Sequence, residues 1–131
     1  MDIKFFVTKV FMFSVIKNHK FLMLHGDDVR GGTMTVKSLE AVQNRMMGLL
    51  KDIPNYTLAG HFHNCSEITT NSGRIIINGA FIGGDMYSLK TLQRGNVPEQ
   101  KIFGIHEKRG ITWSYNVNLS IDREGNHWKV K

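Results

Sequence analysis

Two apolar runs, each ending abruptly in histidine with glycine beside it, constrain what this chain can fold into. They lie in residues 21–27 (FLMLHGD) and 58–64 (LAGHFHN). Short apolar runs followed by such breaks are typical of buried strands. α/β sheets bind ligands in the crevice at the carboxyl ends of their strands. We therefore expect His25 and His61 to project from the rim of a sheet rather than into its core.

These histidines are well suited to binding a metal ion. His61 and His63 are two positions apart, a spacing that puts both side chains on the same side of an extended segment. Neutral imidazole is a common ligand for Zn, Mn and Fe, and His25 would supply a third nitrogen from the neighbouring strand. A metal centre built on His25, His61 and His63 is therefore the leading hypothesis.

The Gly60-His61-Phe62-His63 motif, preceded by an apolar strand that ends in His25, resembles the last two metal-binding motifs of the calcineurin-like metallophosphoesterases. The resemblance covers mainly residues 20–85. It implies two divalent metal ions between two sheets (Mn or Zn, with Fe as a further alternative) and hydrolysis of phosphomonoesters or phosphodiesters, DNA included. It also implies that His25 and His61 bind one metal ion and His63 the other.

The earlier motifs of that family do not precede His25. They are Asp-x-His, Gly-Asp-x-x-Asp and Gly-Asn-His-Asp/Glu, and they supply the bridging carboxylate, other ligands and the histidine that protonates the leaving group. Residues 26–30 (GDDVR) have Arg30 in place of the second Asp, and residues 125–128 (GNHW) have Trp128 in place of the acidic residue. The chain therefore resembles the C-terminal half of such an enzyme, and we assign no catalytic residue to it.

Polar residues near the histidines are candidates for supporting roles. A carboxylate such as that of Asp27 can orient a metal-bound imidazole, and Arg30 can bind a phosphate through two parallel hydrogen bonds. A salt bridge within the loop is the alternative for this pair. The candidates for binding substrate or orienting the metal ligands are Asp27, Asp28, Arg30, Asn64 and Asp85.

Composition limits the compartment and the partners. The single cysteine, Cys65, excludes an intramolecular disulfide and fits a reducing compartment. We interpret it as a packed residue, with zinc binding as the alternative. The formal net charge of +6 is compatible with a nucleic-acid substrate and equally with ordinary solubility, because the basic residues are scattered along the chain.

The apolar start of the chain predicts extended structure over residues 3–16, which are rich in Phe, Val and Ile. Lys9 interrupts this segment, which is too short to span a membrane and is not followed by a small-residue cleavage site. We therefore predict no membrane association and a cytoplasmic location.

One amphipathic helix is predicted between the two histidine-bearing strands. From about Val36 to Lys51 the apolar residues recur every three to four positions, and Ile53-Pro54 ends the pattern. This helix would join the two strands in a βαβ-like unit. The expected fold is α+β: a single domain over residues 1–131 that forms the sheet-dominated half of a metallophosphoesterase-like β-sandwich with one main helix.

Trp113 and Tyr115 fall on one face of a strand predicted over residues 111–121. Such an aromatic face can stack nucleic-acid bases. A covered core or interface is the commoner arrangement, and we expect it here.

Three functions remain open. The preferred one is a metal-dependent phosphoester hydrolase half, acting on phosphodiesters and including nucleic acid among its possible substrates, which needs a complementing chain for the missing motifs. The second is a catalytically inactive remnant that acts as a structural or binding module and forms homo-oligomers through an exposed sheet edge. The third is a mononuclear metal-binding protein that uses His25, His61, His63 and a carboxylate such as Asp27.

Overall fold

The computed structural model of the protein describes residues 4–8, 11–26, 36–83 and 97–120. The chain is α+β, as predicted. Its elements are β1 (Lys4–Val7), β2 (Phe11–Ile16), β3 (His19–Leu24), α1 (Val36–Leu50), β4 (Tyr56–Ala59), β5 (Ser66–Thr70), β6 (Gly73–Ile77), β7 (Glu99–His106) and β8 (Gly110–Asn118).

β3, α1 and β4 form the βαβ unit predicted from the sequence. β3 and β4 pair in parallel, from Phe21 opposite Tyr56 to Leu24 opposite Ala59. Parallel neighbours cannot be joined by a tight turn, so the helix serves as the crossover connection. Their carboxyl ends consequently lie next to each other at one edge of the sheet.

β3 and β4 occupy the middle of a six-stranded sheet with the order β1-β2-β3-β4-β6-β5. The turn between β2 and β3 has positive φ at Lys17 and Asn18 (47° and 67°), the conformation that favours a tight hairpin. The segment predicted to be extended over residues 3–16 divides into two antiparallel strands. Thr8 turns the chain between them, because its backbone nitrogen and side-chain oxygen both hydrogen-bond the backbone of Phe11.

One face of this sheet is covered by α1. The hydrophobic core between α1 and the sheet consists of Leu22, Leu39, Val42, Met46, Ala59, Ile75 and Ile77. Gln43 of α1 and Thr57 of β4 are polar residues buried at this interface. Gln43 has a partner for each end of its amide. Its amide nitrogen donates to Thr57 Oγ1 at 3.2 Å, and its amide oxygen accepts from Thr70 Oγ1 at 3.1 Å. These partners satisfy a group whose burial would otherwise cost free energy.

The opposite face of the sheet is covered by the β7–β8 hairpin. Phe21 stacks on Tyr56 (centroid separation 4.9 Å) and on Phe103 of β7 (6.3 Å). The Tyr56 hydroxyl accepts a hydrogen bond from the backbone nitrogen of Ile111 at 2.9 Å. The molecule thus has a helix, a large sheet and a two-stranded sheet in successive layers. No helix among the described residues is long and apolar enough to cross a membrane.

Gly48 lies within α1 at a position where a side chain would meet nothing: a Cβ there would have no heavy atom within 4 Å. Alanine is about 1 kcal/mol more favourable than glycine inside a helix. We expect Gly48→Ala to raise the free energy of unfolding by about 0.5–1 kcal/mol in urea titrations followed by circular dichroism. Gly73→Ala is the contrasting variant and should lower it, because Gly73 has φ +119° and a Cβ there would lie 2.7 Å from the carbonyl oxygen of Asn55. A destabilising effect of Gly48→Ala would contradict the position of Gly48 within α1 with open space around its Cα.

Candidate metal centre

His25 and His61 lie where β3 and β4 leave the sheet. The last residues of the two strands, Leu24 and Ala59, are paired, and Gly60 N donates to His25 O at 3.1 Å one step beyond. The two imidazole rings are neighbours, with centroids 5.2 Å apart and an interplanar angle of 72°. Both side chains are exposed to solvent. The parallel pairing therefore places two potential nitrogen ligands side by side at the rim.

Gly26 allows the two strand ends to approach this closely. Its φ is +103°, and a Cβ at this position would lie 2.9 Å from the carbonyl oxygen of Gly60 and 3.3 Å from the Cβ of His61. An L-residue would therefore be strained in its backbone and would press on the segment that carries His61. The glycine after His25 is a geometric requirement of the site.

β4 has already ended when the chain reaches His61 and His63. Residues 61–64 form a bend, with φ of 70° at His61 and 62° at His63. Phe62 N donates to Gly60 O at 2.9 Å and so closes a tight turn. The expectation that the two histidines share one side of an extended segment is therefore wrong. Non-glycine residues in this left-handed region are uncommon and are concentrated at functional sites.

Phe62 anchors this bend. Its side chain packs against the hydrophobic core under α1, and its ring centroid lies 5.4 Å from that of His61 at an interplanar angle of 85°. The apolar residue between the two histidines therefore points inward, while both histidines are exposed. Burial of Phe62 offsets part of the free-energy cost of the left-handed residues on either side.

The metal-binding potential of the described residues is partial. No group of three or more His, Cys, Asp or Glu side chains within the described ranges is arranged to hold one ion. The rings of His25 and His61 are neighbours, and His63 lies on the same bend, with Asn64 exposed after it. The remaining candidates, Asp27, Asp28, Arg30 and Asp85, lie outside the described residues.

Cys65 begins the segment that leads away from the bend. Its backbone nitrogen donates to Glu99 Oε1 at 3.0 Å, and burial raises the pKa of its thiol. Its Sγ lies 4.0 Å from Asn78 Oδ1, and the residue is only partly exposed. This position favours a packing role for Cys65 over zinc binding.

Asn78 is a structural residue near the site that the sequence analysis did not select. It follows β6, and its backbone nitrogen donates to Ala59 O at 2.8 Å. Its side-chain oxygen accepts from the backbone nitrogen of Lys101 at 2.8 Å, and its amide nitrogen donates to Gln100. Asn78 thus ties the end of β4 to the β7–β8 hairpin. The sequence does contain a signal for Asn78: the apolar run of residues 75–77 ends in this polar residue, just as the apolar run of residues 21–24 ends in His25.

Comparison with known proteins supports the fold. No model of a known protein family matches the sequence, and no curated protein does. The crystal structure of wild-type Vps29 from Entamoeba histolytica, complexed with Zn2+, is similar with a TM-score of 0.60 and 14% identity over 88% of this chain and 64% of that one. A single mutant of the same Vps29 is similar with a TM-score of 0.53 and 13% identity, over 90% of this chain and 61% of that one.

The protein therefore spans about three fifths of the length of these Vps29 structures. At this level of identity the similarity concerns the fold. The predicted fold class is confirmed: the chain is α+β and shares the fold of Vps29.

Proposed function

We propose that this chain is a single domain that supplies the histidine part of a divalent-metal site for phosphoester hydrolysis, with phosphodiesters, nucleic acid among them, as the preferred substrates. The observation that carries the proposal is the placement of the His25 and His61 rings, 5.2 Å apart, at the ends of adjacent parallel strands. His63, on the same bend, is the third proposed ligand. The proposed metals are Zn or Mn, with Fe as a further alternative, and the Zn2+ complex of Vps29 supports the first of these.

The three histidines would act as neutral ligands rather than as acids or bases. A metal ion held there would act as a Lewis acid toward a phosphoryl oxygen and lower the pKa of a bound water. Other residues of this chain would orient the metal ligands and bind the substrate. We assign Asp27 and Asp28 to orienting the imidazoles and Arg30 to binding a phosphoryl group through two hydrogen bonds.

Carboxylates have to complete the site. Imidazoles are neutral, so three of them leave the charge of two divalent cations uncompensated. In the part of the chain that the structure describes, no acidic side chain joins the histidines in a ligand group. We therefore propose that a complementing chain supplies the bridging carboxylate and the histidine that protonates the leaving group, and that this chain corresponds to the C-terminal half of the complete enzyme.

A catalytically inactive binding module is the second candidate function. It is favoured by the lack of a ligand group of three within the described ranges. In this case the histidines would be surface residues of the bend, and the chain would act through its sheet edges and exposed faces. The two candidates differ in whether the isolated chain holds a metal ion.

The deciding experiment measures metal content and hydrolysis on the same samples. Wild-type protein and His61→Ala are loaded with Zn or Mn and dialysed, metal is quantified by mass spectrometry, and bis-nitrophenyl phosphate hydrolysis is assayed with and without a segment that carries the missing motifs. We expect metal in the wild type, at least about tenfold weaker metal binding in His61→Ala, and hydrolysis only with the added segment. His106→Ala is the matched control, because His106 is an exposed histidine at the end of β7 and lies beside His19, which begins β3, whereas His25 follows the other end of that strand.

Each other result selects a different function. Hydrolysis by the chain alone would contradict the need for a complementing chain. One bound metal ion per chain, with no hydrolysis under either condition, would indicate the mononuclear site. Wild-type protein without metal would contradict the metal centre and leave the binding module.

A further inference from the structure

The outer face of the β7–β8 hairpin exposes aromatic side chains. Trp113 and Tyr115 lie on one face of β8, are 49% and 67% exposed, and have ring centroids 5.4 Å apart. Their cross-strand partners on β7 are Gly104 and Ile102, and Ile102 is also half exposed. This aromatic face is therefore not part of a covered core of this chain, and its covering by an interface stays a prediction. Contiguous exposed apolar surface in a globular protein marks a binding site more often than does a scattered apolar residue.

Gly104 holds the indole of Trp113 against the backbone of β7. A Cβ on Gly104 would lie 2.3 Å from both Cε2 and Nε1 of Trp113 and 2.6 Å from Cζ2. Cε2 lies between Nε1 and Cζ2 in the indole and is set back from the edge that these two atoms form. An edge contact would bring the two outer atoms closer than Cε2, and they are not closer. The glycine therefore meets the face of the ring. One face of the indole is thus fixed on the backbone and the other is open to solvent. A ring fixed in this way loses little conformational entropy when a planar ligand stacks on it.

A cavity of about 610 Å3 opens beside Trp113. The residues that line it include two lysines, Lys17 from the β2–β3 turn and Lys108 from the β7–β8 turn, and one acidic residue, Glu107. The volume is within the range of small-ligand sites. The local excess of positive charge has the same sign as the net charge of +6 on the whole chain, which would attract an anionic ligand.

We propose that this surface binds a nucleobase together with its phosphate, in a free nucleotide or in a single-stranded nucleic acid. Trp113 and Tyr115 stack on the base, and Lys17 and Lys108 bind the phosphate. Gly104 is a positioning residue that keeps the indole flat. Base stacking on aromatic side chains beside cationic groups is the general mode by which proteins bind single strands. A purely apolar partner would bury both lysines without an anion, which is unfavourable.

The proposed site is separate from the candidate metal centre. Lys17 lies before β3 and His25 directly after it. Because β3 has 6 residues, its two ends are roughly 20 Å apart. The inference therefore goes beyond the proposed function and does not depend on metal binding. His61→Ala should leave nucleotide binding unchanged, which makes failure of one proposal distinguishable from failure of the other.

The test is a fluorescence-anisotropy titration of a short labelled oligothymidylate at low salt, repeated with free thymidine monophosphate and with duplex DNA as competitors. We expect Trp113→Ala to weaken binding by about tenfold or more and Trp113→Phe to retain most of it. Gly104→Ala should also weaken binding, because it displaces the indole. Lys17→Gln and Lys108→Gln should each weaken binding and reduce its dependence on salt.

Matched controls are available elsewhere on the chain. Phe81→Ala removes an aromatic side chain that is 75% exposed, and Lys51→Gln removes an exposed lysine; neither should change the affinity. Competition by the mononucleotide would identify the free nucleotide as sufficient, whereas oligothymidylate binding that the mononucleotide does not displace would identify the nucleic acid as the ligand. The proposal is overturned if Trp113→Ala, shown by circular dichroism to be folded, binds as tightly as the wild type. Preference for the duplex, or no binding at all, would overturn it equally.

Discussion

Phe21→Ala is expected to lower the free energy of unfolding by about 3–5 kcal/mol, the range for removal of a buried aromatic side chain. Phe21 is fully buried and stacks on rings from two layers, at 4.9 Å from Tyr56 and 6.3 Å from Phe103. Its loss would leave a cavity between the large sheet and the β7–β8 hairpin that neither can fill without moving. Urea unfolding monitored by circular dichroism measures the effect.

Phe81→Ala is the control for this prediction. The Phe81 side chain is 75% exposed, so its removal should change the free energy of unfolding by no more than about 0.5 kcal/mol. Phe103→Ala and the double variant Phe21→Ala/Phe103→Ala test the packing directly, since residues in contact have non-additive effects on stability. Full additivity of the two substitutions would contradict the packing of the hairpin on the sheet.

Gly26→Ala is expected to disrupt the junction that brings the two histidine-bearing strands together. The new Cβ would combine an unfavourable φ of +103° with a 2.9 Å approach to the Gly60 carbonyl oxygen. Together the strain and the steric overlap should cost about 2–4 kcal/mol. Because the strand ends would have to separate, the variant should also bind metal more weakly than the wild type. A metal titration of the folded variant measures this.

Gly60→Ala is the matched comparison on the partner strand. A Cβ at Gly60 would lie 3.5 Å from the carbonyl oxygen of His25, an ordinary contact. We expect this variant to lose less than about 1 kcal/mol and to keep its metal affinity. Equal effects of the two substitutions would show that the close approach at Gly26 does not determine the geometry of the histidines.

The central part of the fold could be predicted because its signals are local. The three-to-four spacing over residues 36–51 and the apolar runs on both sides of it specify a helix between two strands. The sequence separation of those strands then requires a crossover connection. The placement of His25 next to His61 follows from this unit alone. Fold class and the position of the candidate site were therefore accessible without long-range information.

The bend at the site was not predictable in the same way. His61 and His63 adopt left-handed conformations, and histidine carries only a weak preference for that region. The conformation results from tertiary packing of Phe62, which alternation of residue types does not reveal. The aromatic face of β8 shows the same limit: periodicity indicates that Trp113 and Tyr115 share a face, but not whether another layer covers it.

Gln43 has a consequence for the specificity of the fold. An apolar helix face can slide along an apolar sheet and remain buried, so hydrophobic packing alone leaves the position of α1 poorly determined. A shift of one turn, about 5.4 Å, would separate Gln43 from Thr57 and Thr70. Each polar group left without a partner would cost about 1–3 kcal/mol. The hydrogen bonds of this single amide therefore favour one position of α1 on the sheet over other positions that would bury a similar apolar area.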